Sequence, residues 1–147
     1  MANQEQLDIL KQGIAEVWNR WRLDNPEQRP ELQAADLAEA NLAGMDLAYA
    51  DLTEADLSEA DLNNADLSGA HLAGANLSGA NLAGANLSGA DLSGANLVGA
   101  DLVAADLNET NLTGAYVRAA NFSWINVSQA IITAAQLKSA RLSPDDL

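Results

Sequence analysis

From Leu32 to Leu142 every fifth residue is apolar, through twenty-three positions in succession. Leu fills nineteen of them, and Val117, Phe122, Val127 and Ile132 fill the rest. Ala stands two residues before most of these positions, usually with Asp or Asn between, so the chain reads Ala-Asp-Leu-Ser-Gly or a near variant again and again. A period of five fits neither the 3.6 of a helix nor the 2.0 of a strand. Within one pentad, however, Ala and Leu are two apart and face the same side of an extended segment. On a straight strand the odd period would turn the next pair outward. A right-angle corner in each pentad resets the phase, and four corners close a ring. The pattern therefore predicts an all-β solenoid over residues 30–144, a right-handed square β-helix of nearly six coils. Ala forms its small inner layer and Leu its large one. Gly recurs at the fifth position from Gly69 to Gly99, where the corner needs positive φ. At about 4.8 Å between neighbouring strands the stack is roughly 28 Å tall.

The segment ahead of the repeat, residues 1–29, carries a different period. Leu7, Leu10, Ile14, Val17, Trp18 and Trp21 recur at helical spacing and predict one amphipathic helix over residues 3–23. Asn3 with Gln6 forms a candidate capping box, and Asp24-Asn25-Pro26 ends the helix. The apolar stripe is expected to lie on the first coil as a lid, over Leu32, Leu37 and an unpaired strand edge. Its few bases argue against a membrane-surface helix. At the other end Tyr116, Arg118, Trp124, Ile125 and Ile131 replace small or acidic residues, all but Ile125 at outward positions. Bare Trp124 and Ile131 call for cover. Tyr116, Trp124 and Ile131 are thus a candidate C-terminal interface, covered by the chain's own end in a monomer or by a second copy in a homodimer. Residues 131–142 continue the coil in the reading favoured here. The alternative is a short helix, which Ala134-Ala135-Gln136-Leu137-Lys138 also suits. Residues 145–147 form an acidic tail.

The pentads of residues 30–144 resemble those of the pentapeptide repeat family. The stretch Leu10-Lys11-Gln12-Gly13 through Val17-Trp18-Asn19-Arg20-Trp21-Arg22 resembles a leader found in its cyanobacterial members. The resemblance implies a right-handed quadrilateral β-helix and assigns no chemistry. It also implies one specific possibility, since some members imitate the width and charge of DNA and occupy the DNA saddle of a type II topoisomerase.

Charge narrows the partners. The chain has 21 acidic and 7 basic residues, a formal net charge of −14. Residues 1–29 carry 5 acids and 4 bases, whereas residues 30–144 carry 14 acids and 3 bases. Such a repeat repels nucleic acid and anionic membranes and attracts a basic groove. Stacked on a twenty-residue coil, Asn41, Asp61, Asn81, Asp101 and Asn121 alternate; Asp46, Asp66, Asn86, Asp106 and Asn126 form a second ladder. The expectation is that Asn bridges between like charges. The alternation fails where Asp36 stacks on Asp56 and Glu39 on Glu59. With Glu31, Asp51, Glu54 and Asp61 these make a candidate interaction patch.

No catalytic, cofactor-binding or metal-binding set is legible. There is no Cys, hence no disulfide or thiolate site. Ser68, Ser78 and Ser88 lie at outward positions with no base beside them, no Gly-rich phosphate loop occurs, and a convex wall offers no desolvated cleft. His71 falls between Asp51 and Asp91 in the stack. Two carboxylates and one imidazole on a flat wall make a poor cage, so it reads as a surface variant. Met1–Leu10 is too polar for a signal peptide and no apolar run is of membrane-spanning length, so the expected compartment is the cytoplasm. The function expected is that of a non-catalytic acidic scaffold for a protein partner that the sequence does not name. The alternative is a DNA-mimicking modulator of a type II topoisomerase such as gyrase.

Overall fold

A computed structural model describes residues 1–142 of the chain. Parallel bridges join ladder residues twenty apart, as Glu31 to Asp51 and Asp51 to His71. Four walls result. The first carries Glu31, Asp51, His71, Asp91, Asn111 and Ile131, and the second Asp36, Asp56, Asn76, Asn96 and Tyr116. The third carries Asn41, Asp61, Asn81, Asp101, Asn121 and Arg141, and the fourth Asp46, Asp66, Asn86 and Asp106. Every Leu from Leu32 to Leu112 is at most 1% exposed, so the large inner layer is continuous through the stack. Phe122 takes the Leu place in the fifth coil and is buried there.

Each corner is a four-residue turn. Ala35 N–H donates to Leu32 O at 3.1 Å while Ala34 holds φ at +56°, and the same turn recurs down the stack. The ladder residue sets it up. Asp56 Oδ1 accepts the Ser58 amide at 3.0 Å and the Ser58 hydroxyl at 2.7 Å. Asn86 does the same for Ser88. These are Asx turns, in which the side chain stands in for a backbone acceptor. The expected bridging of neighbouring ladder rungs by Asn is therefore corrected. Oδ1 is engaged within its own pentad, and Asp and Asn interchange because both possess it.

Two other expectations need correction. Among the described residues the chain makes five turns, residues 31–130, the fifth short of its fourth-wall rung, with a partial sixth. In that sixth coil the first and third walls continue through Ile131 and Arg141, but the second gives way to a helix, Ala134–Ser139. Thr133 and Gln136 cap this helix reciprocally. Gln136 Nε2 then donates to Leu112 O and Ala115 O at 2.7 and 3.0 Å, the Ala115 carbonyl being one that a sixth-coil amide would otherwise engage. The acidic tail expected at 145–147 lies outside the described residues.

The N-terminal segment forms two helices rather than one, α1 (Gln4–Leu10) and α2 (Ala15–Asp24). Gly13 at φ +70° makes the break and re-aims the chain, so one 3.6-residue stripe does not run through both. Leu7, Leu10 and Trp18 are buried on the first coil, and Trp21 stacks on Trp18 with ring centroids 5.1 Å apart. Ile14 and Val17 fall off the shared face and stay 47% and 40% exposed, so they are not part of the lid. The Ala134–Ser139 helix is α3.

Candidate functional site

The lid does more than cover apolar surface. Gln6 Nε2 donates to Arg29 O at 3.3 Å and Gln6 Oε1 accepts from Glu31 N–H at 2.7 Å. Asn19 repeats this on the fourth wall, donating to Gly44 O and accepting from Asp46 N–H. The Trp18 indole donates to Asp46 O at 2.7 Å, and Arg22 donates to Ala48 O at 3.1 Å. Arg29 Nε reaches Tyr49 O at 2.8 Å. Sequence reasoning missed these polar members of the lid, because no periodicity ties Gln6 to Glu31 or Asn19 to Asp46.

The acidic residues are distributed by the coil. Asp36 and Asp56 stack on the second wall. Glu54 holds the corner before that wall, and Glu39 and Glu59 the corner after it, so these five make one continuous strip. Glu31 and Asp51 lie round the corner on the first wall and Asp61 on the third, so the eight candidates do not share one face. Burial works against the Asp51 charge, yet the Thr53 hydroxyl and amide, then the Arg29 charge, hold its pKa below the usual carboxylate range. At Asp56 the Ser58 hydroxyl and amide do the same against slight desolvation.

The corner glutamates have an unusual backbone. Glu39, Glu54 and Glu59 sit at φ of +59°, +58° and +57°, a region that costs an L-residue about 1–2 kcal/mol and glycine little. The coil beneath makes room for two of the large corner residues. The Glu59 carboxylate lies where a Cβ on Gly79 would be, and Tyr49 lies likewise over Gly69. Glycine at these two corners is thus favoured by φ and leaves the neighbour above its place; a larger residue would displace the Glu59 carboxylate or the Tyr49 ring.

At the C-terminal end Tyr116, Trp124 and Ile131 are all exposed, as the sequence predicts. Tyr116 is on the second wall, Ile131 on the first, and Trp124 at the corner between third and fourth, so they ring the end and form no single patch. Ile125 turns inward and packs on the core. Charge divides along the axis: residues 30–117 contain 14 acids and no Lys or Arg, whereas residues 118–142 contain Arg118, Lys138 and Arg141 and no acid. Among the described residues no three His, Asp or Glu side chains are placed to hold a metal ion.

The family described as "pentapeptide repeats (8 copies)" matches the chain over the overlapping residues 31–64, 60–97, 70–108, 85–123 and 95–133. No curated protein sequence matches. Among solved structures, the pentapeptide repeat protein Rfr23 from the cyanobacterium Cyanothece 51142 is similar at 28% identity. That match covers 89% of this chain and 97% of the other, with a TM-score of 0.70. A pentapeptide repeat protein of the Arabidopsis thaliana thylakoid lumen is similar at 26% identity over 78% of this chain and 77% of its own, with a TM-score of 0.57. The match over most of the repeat and the four-walled coil lead to one conclusion: the chain belongs to the pentapeptide repeat family and is a right-handed quadrilateral β-helix with a helical N-terminal lid.

Proposed function

We propose that this protein is a non-catalytic interaction module whose acidic second wall engages a basic surface of a protein partner. One observation carries the reading. Glu39, Glu54 and Glu59 occupy positive-φ corners where glycine would be the less costly residue, and they flank Asp36 and Asp56. The fold does not require carboxylates there. Their position serves charge presentation, and a net charge of −14 adds long-range attraction for a basic partner.

Asp36→Lys with Asp56→Lys tests this directly. Capture of basic proteins by the native chain is expected to fall between low and moderate salt and to be lost in the double variant. Capture that survives both changes would sink the reading. The net charge of −14 and the strip on Asp36, Glu39, Asp56 and Glu59 also support the DNA-mimic alternative, and the absence of any insertion in the repeat counts against it. The same pair of proteins serves in a gyrase supercoiling assay. Inhibition by the native chain alone would favour the alternative, and no effect at tens of micromolar would retire it.

A further inference from the structure

The fourth wall lacks its last rung. Asp46, Asp66, Asn86 and Asp106 pair in sequence, but Asn126 does not pair with Asp106. In the coil above, Leu87 N–H donates to Asp106 O at 2.8 Å and Asp106 N–H to Ala85 O at 2.9 Å. The equivalent groups one coil on, Leu107 N–H and Ala105 C=O, have no partner among the described residues. Glu109 N–H, which should meet residue 128, meets Gln129 O instead, so the chain has slipped by one residue past the gap.

Ile125 accounts for this. It occupies a place in the small inner layer that is Ala65, Ala85 and Ala105 in the coils above. Met45 fills the same column at the opposite end and stays buried with its rung intact, because an unbranched side chain bends to fit. A side chain branched at Cβ is stiff at χ1 and lacks that freedom. Ile125 reaches the core only in part, and the strand that carries it stands off. The result is an open groove of about 500 Å³ lined by Leu107, Asp106, Ala105, Asn126 and Trp124 among others. Trp124 stands over it at φ +64° and is 79% exposed.

We propose that this groove takes an extended segment of a partner protein carrying a lysine or arginine, paired with Leu107 N–H and Ala105 C=O as an added rung. Free donors and acceptors at a sheet edge are the template for strand addition. The charge of the occupant follows from the lining. Asp106 is its one charged residue, and an indole face beside a carboxylate attracts a cation and disfavours an anion. An aromatic anchor next to a groove is also the usual centre of binding energy. The proposal rests on the reading of the protein as a module for basic partners and gives that reading a second, shape-selective contact.

The test uses the full chain and a blocked peptide of roughly eight residues that alternates valine and lysine, followed through amide and indole signals in proton–nitrogen spectra. The expected result is a shift of the Leu107 amide, with slowed exchange, and of the Trp124 indole. Ile125→Ala returns alanine to the layer and lets Asn126 pair with Asp106, so it is expected to weaken binding about tenfold while leaving the protein folded. Trp124→Ala is expected to weaken it by a similar factor. Equal binding by a peptide N-methylated at its pairing amides, by a valine–glutamate counterpart, or by Ile125→Ala would each overturn the proposal. Trp124 signals that move with protein concentration alone would overturn it in favour of a second copy. Salt-sensitive shifts confined to the second wall would refute the groove and keep the acidic-wall reading, whereas no shift anywhere would refute both.

Discussion

At the N-terminal end Gln6, Trp18, Asn19 and Arg22 meet the open edge of the first coil group by group. At the C-terminal end Gln136 does this on the second wall, and the fourth wall is left without a partner strand. The difference teaches what a β-helix end needs. Gln6 and Asn19 each give a donor and an acceptor to the same edge, as a peptide group would. A carboxylate or an ammonium supplies only half of that pair. Amide side chains on a helix can therefore imitate the missing coil, and an end that lacks enough of them keeps a reactive edge.

The sharpest way to break the comparison is to remove a tryptophan from each end. Trp18→Ala deletes a fully buried ring and its bond to Asp46 O, and is expected to cost about 3–5 kcal/mol in denaturant unfolding. Trp124→Ala removes an exposed ring and is expected to change stability by less than about 0.5 kcal/mol. Comparable losses at the two sites would refute the contrast between the ends. Next in size are the edge-mimicking amides. Gln6→Ala strands two backbone groups under a buried side chain and should cost about 1–3 kcal/mol. Gln136→Ala, in a half-buried place, should cost about 1 kcal/mol in the same titration.

A smaller effect of opposite sign is expected at the corners. Ala104 has φ +59°, and Ala104→Gly should raise stability by roughly 0.5–1 kcal/mol, read as a higher thermal midpoint. The smallest effect is on pH. Asp51 and Asp56 have pKa values below their ordinary 3.8, so their ionised forms favour the fold. That contribution is complete above the ordinary pKa and disappears as pH falls through the lower folded values. Asp56→Asn keeps the Oδ1 acceptor of the Asx turn and removes the titration, so its acid limb should flatten without loss at neutral pH. A loss at pH 7 equal to that of Asp56→Ala would show that charge, rather than the turn acceptor, matters at this position.

The walls, the register and the stacking of Asp36 on Asp56 were legible because Leu, Ala and Gly recur at one spacing and each has one physical reason to be there. The Asx turns were not, since a ladder seen only as a column of charges hides that Oδ1 acts along the chain. The lid was half legible. Leu10 and Trp18 stand out by hydrophobicity, but the partner of Gln6 is 25 residues away and follows no period. Ile125 was visible as an exception in the small layer. What it does to the rung beneath Asp106 depends on how far a branched side chain can bend, which spacing does not encode.

Because each pentad carries the chain through a quarter turn, the number of pentads is an angular coordinate as well as a length. One further pentad inserted among the Gly-cornered middle coils, after Gly89 for example, would preserve both inner layers. It would also swing everything beyond it, Trp124 and its groove included, onto the neighbouring side of the column. Four such insertions return the groove to its original bearing, one coil farther from the lid. A solenoid of this kind can thus re-aim a terminal contact by counting residues, with no change to any residue of the contact itself.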